Sequence, residues 1–126
     1  MRRGATVALV TGALAWAWWR SRPFRVLVEG DSMEPALSPG DQVVAVRPRR
    51  LRVGDVVVVR AHGIEMVKRL AGLPGASVAG RALGPGEHWV LGDRPERSTD
   101  SRSFGPVREI TGVVRYRYLP RPGPVR

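Results

Sequence analysis

A serine in a tight turn and a single lysine are the residues of this chain that could do chemistry. Ser32 lies in the stretch EGDSMEPALSPGD at residues 29–41, where Pro35 soon ends any regular helix or strand. A serine hydroxyl is a weak nucleophile unless a base lies within hydrogen-bond distance. The turn therefore has two interpretations: it contains a serine by chance, or it presents a nucleophile.

Lys68 is the first candidate for that base. Lys and Arg total 21, and Lys68 is the only lysine among them. Arginine does not lose its proton in proteins, whereas a buried lysine can. A strand over residues 64–70 would place Lys68 on one face with Ile64, Met66 and Leu70. Burial there would lower the lysine pKa and suit it to general-base catalysis. Alternatively, its stem packs on that apolar face while the amine reaches water.

The two histidines, His62 and His88, offer a rival base. A Ser-His-Asp triad is possible because the order of its members along a chain is not fixed. His62 falls in a predicted turn beside Gly63 and His88 at the start of a predicted strand, and neither has a local catalytic signature. Two isolated histidines make a weak metal site, and the carboxylates are scattered. We therefore expect no metal and no cofactor.

Composition narrows the remaining chemistry and the partners. The chain has no cysteine, which excludes disulfides, thiolate catalysis and cysteine zinc sites. Its formal net charge is +10, a balance that favours anionic membrane lipid or nucleic acid as a partner. No basic motif interleaved with aromatic residues is visible, so we expect membrane lipid and no nucleic acid.

Short valine-rich segments separated by Gly, Pro and Asp predict an all-β domain over residues 23–119. The loop at 94–106 is polar, residues 70–86 indicate turns with one weak strand, and the tail at 120–126 is predicted to be disordered. The predicted strands are 24–29, 42–47, 55–61, 64–70, 88–92 and 112–119.

Residues 1–22 are predicted to form one N-terminal transmembrane helix that anchors the domain. Their apolar run, residues 5–19, is flanked by arginines and ends in a tryptophan cluster typical of a membrane interface. A cleaved signal peptide is an alternative, since Ala15-Trp16-Ala17 fits a small-x-small cleavage pattern, and a buried core helix is another.

Four stretches in order resemble the conserved boxes of type I signal peptidases, which are membrane-anchored serine proteases with a Ser–Lys dyad. They are GDSMEPAL, RVGDVVVV, VKRLAGLPG and GDRPERSTDSRSFGPV, all between residues 30 and 107. Each box alone is a modest signal. The order of all four, with the only lysine at the position of the family's base, is a specific one.

The resemblance implies a role for eight residues. Ser32 would be the nucleophile, with its own backbone N–H in the oxyanion hole, and Lys68 would be the general base. Met33 would line the substrate groove, and Ser98 would orient the Lys68 amine. Ion pairs would support the site through four further residues: Asp93, Asp100, Arg69 and Arg102.

Two positions depart from the family pattern. Gly30 stands where some members have a second hydroxyl for the oxyanion hole, and Arg94 stands where an Asn is usual. Only a short segment separates Lys68 from Ser98, so the chain resembles a minimal catalytic core without the inserted β-domain of longer members.

The resemblance implies removal of signal peptides from exported precursors with Ala-x-Ala-like sites, by a single-pass protein of the cell membrane whose catalytic domain is extracytoplasmic. A protease dedicated to one precursor, as in nickel superoxide dismutase maturation, is an alternative with the same chemistry. Repressor-type autoproteases share a Gly-x-Ser-Met turn, but the expected anchor and the lack of a recognisable DNA-binding segment in these 126 residues disfavour them. A non-catalytic, membrane-bound β-domain that binds peptides is the alternative from another class.

Overall fold

The computed structural model describes residues 10–16 and 22–126. Nine strands, all in antiparallel pairs, are the main regular structure of the second range, which confirms the predicted all-β class. The strands are β1 (Phe24–Leu27), β2 (Gln42–Val46), β3 (Val56–Ala61), β4 (Ile64–Gly72), β5 (Ser77–Val78), β6 (Arg81–Ala82), β7 (Trp89–Leu91), β8 (Glu109–Leu119) and β9 (Gly123–Pro124).

Seven strands form one sheet in the order β1-β2-β8-β3-β4-β7, with β9 added to β8, and β5 pairs with β6 in a separate hairpin. The central strand β3 is buried on both faces of this sheet. Its run of four valines is fully buried, and alternation sends Val56 and Val58 to one face and Val57 and Val59 to the other. Each pair joins a different apolar cluster.

The two clusters define the faces of the sheet. Cluster one contains Val26, Val28, Met33, Leu37, Val43, Ala45, Val56, Val58 and Val114. Cluster two contains Val57, Val59, Leu70, Val90, Val107 and Val113. Burial of this apolar area is the main force that holds the sheet together. Because Met33 and Leu37 belong to cluster one, the segment that carries Ser32 is packed onto the sheet.

The predicted strands agree with the observed ones to within a few residues, but the ends of the domain differ from expectation. The tail at 120–126, predicted to be disordered, instead returns to the sheet. Its strand β9 pairs with Tyr116 and Arg117 of β8, and Val125 packs on cluster one. Composition predicted disorder because prolines punctuate this segment, but proline is compatible with an edge strand.

The polar loop at 94–106 also contains short helices that the sequence analysis did not predict. A single 3-10 turn spans Pro95–Arg97, and a one-turn helix spans Ser101–Phe104. Asp100 caps that helix by accepting a hydrogen bond from the Arg102 backbone N–H. One turn is too short to show helical periodicity, so only the Pro and Asp positions carried a signal.

The N-terminal prediction falls largely outside the described residues. Residues 10–16 are helical, while residues 1–9 and 17–21 of the expected anchor lie outside. Within the described ranges, no helix is both long enough and apolar enough to cross a bilayer.

Candidate active site

The turn that carries Ser32 is closed by its own backbone and fixed to the core. Gly30 has a φ of 73°, a left-handed conformation that favours glycine and explains why glycine directly precedes the turn. The Glu34 backbone N–H then donates to the Asp31 carbonyl oxygen at 3.2 Å, with Ser32 and Met33 between them. Met33 is only 1% exposed. Its buried side chain holds the turn down while Ser32 stays at the surface of the core.

The amine of Lys68 meets the hydroxyl of Ser32. The distance between Lys68 Nζ and Ser32 Oγ is 3.1 Å. Lys68 lies in β4 opposite Val57 and is 4% exposed. This burial and the contact with Ser32 favour a buried amine over the alternative in which the amine extends into open water. The structure thus places a buried amine against the hydroxyl that the sequence analysis singled out.

The surroundings of Lys68 favour its neutral form. Burial removes water from the ammonium and is the main reason that the pKa of Lys68 lies below its ordinary value. The negative charge of Asp100 raises that pKa and the positive charge of Arg102 lowers it, and desolvation is the largest of the three effects. A neutral amine can accept the Ser32 proton, whereas an ammonium can only donate.

The alternation of buried and exposed side chains along β4 is only partly as predicted. Leu70 is fully buried beside Lys68, but Ile64 is 62% exposed because it lies at the tip of the β3–β4 hairpin, beyond the covered part of the sheet. His62 and Gly63 form that tip, both with positive φ, as a type I′ hairpin turn requires.

The Ser98 hydroxyl does not contact the Lys68 amine as the resemblance implied. It lies 2.6 Å from the Arg94 carbonyl oxygen and 3.2 Å from that of Ser32. Gly92 explains this placement, because a Cβ there would clash with the Ser98 side chain and lie 2.9 Å from the Ser32 carbonyl oxygen. Ser98 thus contacts the backbone of Ser32 instead of the Lys68 amine.

Asp100 and Arg102 form an ion pair directly behind the lysine. Asp100 is fully buried and accepts hydrogen bonds from the Gly92 backbone N–H and from the backbone and guanidinium of Arg102. Burial opposes ionisation, but the bonds from Arg102 and Gly92 hold the pKa of Asp100 below its ordinary value. A fixed negative charge therefore lies within electrostatic range of Lys68.

Arg69 and Asp93 form a second ion pair at the point where β4 meets the loop after β7. Arg69 Nε and Nη2 each lie 2.8 Å from a different carboxylate oxygen of Asp93, a bidentate geometry. The same guanidinium donates to the carbonyl oxygens of Gly54 and Arg126. It therefore ties three segments to the strand that carries Lys68.

A groove of about 160 Å³ leads to Ser32 and Lys68. Met33 is among its lining residues, although this side chain mainly fills the core. Residues 26–29 form one wall and residues 65–68 the other. In the described part of the chain, β1 pairs only with β2, and β7 pairs with β4 only from Arg69 onward. Both walls therefore present free strand edges to the groove.

The histidines lie elsewhere. The His62 ring packs edge-on against Phe104 with 6.2 Å between ring centroids. His88 Nδ1 lies 3.1 Å from the Gly86 carbonyl oxygen. Within residues 10–16 and 22–126, no group of three or more acidic or histidine side chains could hold a metal ion.

Comparison with known proteins shows the family to which the sequence around this site belongs. Residues 2–82, which include Ser32 and Lys68, match the family described as signal peptidase, peptidase S26. The chain belongs to the S26 signal peptidase family. This confirms the resemblance that the four boxes carried.

Proteins from a bacterium and from vertebrate mitochondria are similar in sequence to this chain. The chain is 30% identical over 99 residues to mitochondrial inner membrane protease subunit 1 of Xenopus tropicalis and 31% to that of Mus musculus. It is 27% identical over 145 residues to signal peptidase IB of Staphylococcus aureus strain COL. These alignments cover 65%, 65% and 74% of the chain, and 59%, 60% and 76% of the relative. The chain thus spans about three-fifths of the mitochondrial relatives.

One residue of the S26 site had no role in the sequence analysis. Arg94, noted there only as a departure from the usual Asn, lies across the turn at residues 31–34 that carries Ser32. Its guanidinium approaches the carboxylates of Asp31 and Glu34 at 3.3 and 3.2 Å. The sole signal in the sequence was a basic residue in the last box and two acidic residues beside Ser32.

Proposed function

We propose that the chain is a membrane-bound serine endopeptidase that removes signal peptides from exported precursors, with Ser32 as nucleophile and Lys68 as general base. The observation that carries this proposal is the 3.1 Å approach of a buried amine to the Ser32 hydroxyl at the end of an open groove. Membership of the S26 family supports the same reaction class.

The substrate is proposed to enter the groove as an extended strand. The free edges of residues 26–29 and 65–68 offer backbone N–H and C=O groups on both sides, as strand addition requires. The small volume of the groove favours small side chains, in keeping with an Ala-x-Ala-like site before the cut. The carbonyl to be cleaved would then lie over Ser32.

The reaction proposed is acyl transfer in two halves. Neutral Lys68 takes the Ser32 proton as the Ser32 oxygen attacks the substrate carbonyl carbon, and the carbonyl oxygen becomes an oxyanion stabilised by the Ser32 backbone N–H. The tetrahedral species collapses, the C–N bond breaks, and Lys68 returns the proton to the leaving amine. Water then gives a proton to Lys68 and attacks the ester carbonyl carbon. The bond to the Ser32 oxygen breaks, the carboxylic acid product forms, and Lys68 returns the proton to Ser32.

The remaining site residues are proposed to support this dyad. Ser98 holds the backbone of the nucleophile turn through the Ser32 carbonyl oxygen. Asp100 with Arg102, and Asp93 with Arg69, hold the loop after β7 beside β4. Neither pair contacts the reacting atoms in this proposal.

We also propose where the protein acts in the cell. An N-terminal anchor over residues 1–22 would keep the catalytic domain at the extracytoplasmic face of the cell membrane. It would raise the effective concentration of membrane-tethered precursor.

The test is cleavage of an exported precursor with an Ala-x-Ala site by the full-length chain in detergent. We expect cleavage by the wild type and by Ser103→Ala, a control at an exposed serine, and none by Ser32→Ala. Equal cleavage by Ser32→Ala would overturn the nucleophile assignment. No cleavage by the wild type would overturn general signal-peptide processing and favour either a single dedicated precursor or peptide binding without catalysis.

A further inference from the structure

We infer that Arg94 is a positioning residue that fixes the nucleophile turn, so that the Ser32 hydroxyl and backbone N–H keep their direction. This inference rests on the proposed function, because it assigns a kinetic role to a residue beside Ser32. It concerns a residue that contacts neither the Lys68 amine nor the proposed reacting atoms.

The backbone of Arg94 holds the turn at its centre. Its N–H donates to the Ser32 carbonyl oxygen at 2.8 Å. Its own carbonyl oxygen lies 2.6 Å from the Ser98 hydroxyl, which also approaches the Ser32 carbonyl. The peptide group after Ser32 is therefore anchored to the loop that follows β7.

The side chain of Arg94 holds the turn at its two corners. The turn closes through the Glu34 N–H and the Asp31 carbonyl oxygen. The carboxylates of these same two residues both approach Arg94 Nη1, that of Glu34 at 3.2 Å and that of Asp31 at 3.3 Å. One guanidinium group thus bridges the first and last residues of a turn whose middle residues are Ser32 and Met33.

Charge makes this bridge specific to an arginine or lysine at position 94. Asp31 and Glu34 flank the nucleophile and would repel each other without a cation between them. Arg97 Nε lies 3.6 Å from Asp31 and is more exposed, so it is a weaker partner. An Asn at position 94 would keep the backbone hydrogen bond to Ser32 but would leave the two carboxylates without the charge that Arg94 supplies.

Salt sensitivity follows from the exposure of the bridge. The Arg94 side chain is 36% exposed, and ion pairs open to solvent weaken as ionic strength rises. Salt should therefore loosen the turn in the wild type. It should have little further effect where the arginine is already missing.

The first experiment is hydrogen–deuterium exchange of the full chain in detergent, which needs no activity. Arg94→Ala should speed exchange in peptides that cover residues 30–35 and leave β3 unchanged. Arg94→Lys should restore most of the protection, and Arg94→Asn, which also removes the charge, serves as the test variant if Arg94→Ala fails to fold. Unchanged exchange at residues 30–35 in Arg94→Ala would overturn the inference, whether or not the chain proves to be a peptidase.

The second experiment is steady-state cleavage by variants that pass the first. Arg94→Ala should lower kcat about tenfold or more, the scale expected when a reacting group is misplaced, with KM nearly unchanged. Arg94→Lys should recover part of that loss. Arg108→Ala, which removes an exposed pair with Glu87 away from the turn, should match the wild type. An equal loss in Arg108→Ala would overturn the assignment.

The salt series separates positioning from general stabilisation. The wild-type kcat should fall toward that of Arg94→Ala as NaCl rises toward about 1 M, where charges are screened within roughly 3 Å. The kcat of Arg94→Ala should stay nearly flat across the same series. Parallel salt curves for the two proteins would contradict a bridge through Arg94.

Discussion

The Ser32 hydroxyl and the Lys68 amine lie 3.1 Å apart although 36 positions separate them in the chain. Two independent constraints produce this approach. Strand β4 presents Lys68 opposite Val57, and the burial of Met33 and Leu37 holds the turn down on the sheet. The proposed dyad therefore depends on contacts that lie outside the dyad itself.

Gly92 is the first such contact that can be tested. Gly92→Ala would place a Cβ 2.9 Å from the Ser32 carbonyl oxygen and in collision with the Ser98 side chain. Relief requires the turn or the loop to shift, at a cost of about 1–3 kcal/mol for overpacking. We expect a lower melting temperature and a loss of cleavage larger than the loss of folded protein.

The matched control is Gly123→Ala, where nothing lies within 4 Å of the added Cβ. It should change neither the melting temperature nor cleavage appreciably. If Gly92→Ala behaves as Gly123→Ala does, the turn is not held in the way described.

Asp100 should influence both stability and the pH profile. Asp100→Asn removes the buried charge that pairs with Arg102 and turns an amide N–H₂ toward existing donors, including the Gly92 N–H. Loss of this buried hydrogen bonding should cost about 1–3 kcal/mol of unfolding free energy. Since the folded-state pKa of Asp100 is lowered, its contribution is present above the ordinary aspartate pKa and is lost as pH falls through the folded value.

The same change should move the pH dependence of cleavage. Asp100 raises the pKa of Lys68, so its removal lowers that pKa further. Activity that requires the neutral amine would then appear at lower pH in Asp100→Asn than in the wild type. Asp41→Asn removes another buried, paired carboxylate, the partner of Arg117, and should lower stability without moving the profile. A shift of equal size in Asp41→Asn would rule out a specific effect of Asp100 on Lys68.

Lys68 itself should destabilise the fold at neutral pH. Its folded-state pKa is lowered by burial, so the unfolded chain binds more protons between the folded value and 10.5, the ordinary value. Stability therefore rises with pH across that range. Lys68→Met fills a similar volume without the charge, and we expect a higher melting temperature than wild type at neutral pH, with the difference shrinking toward alkaline pH. A less stable Lys68→Met protein at neutral pH would show that burial of the Lys68 amine does not destabilise the fold.

Much of this site was predictable from local patterns. The alternation of residues 64–70 placed Lys68 on the same face as Leu70, and the rarity of lysine in the chain drew attention to it. The Gly30 conformation explains why the GDSM stretch forms a turn. These features depend on near neighbours in the sequence, which is why sequence patterns reveal them.

Features that depend on distant residues were not predictable in the same way. The contact of Ser98 with the Ser32 carbonyl oxygen depends on the space left by Gly92, and the bridge from Arg94 depends on how the loop after β7 crosses the turn. The pairing of β9 with β8 likewise requires the sheet to exist first. Local composition carries little information about such contacts.

The most direct test of the proposed mechanism is the titration of Lys68. Because it is the only lysine, incorporation of lysine labelled with carbon-13 gives one lysine side-chain Cε resonance, which can be followed by NMR as pH is varied in the full-length protein in detergent. We expect its midpoint to lie below the ordinary value of 10.5 and to follow the pH at which kcat/KM rises. A midpoint at or above that value would contradict a buried neutral amine and, with it, the role of Lys68 as the base for Ser32.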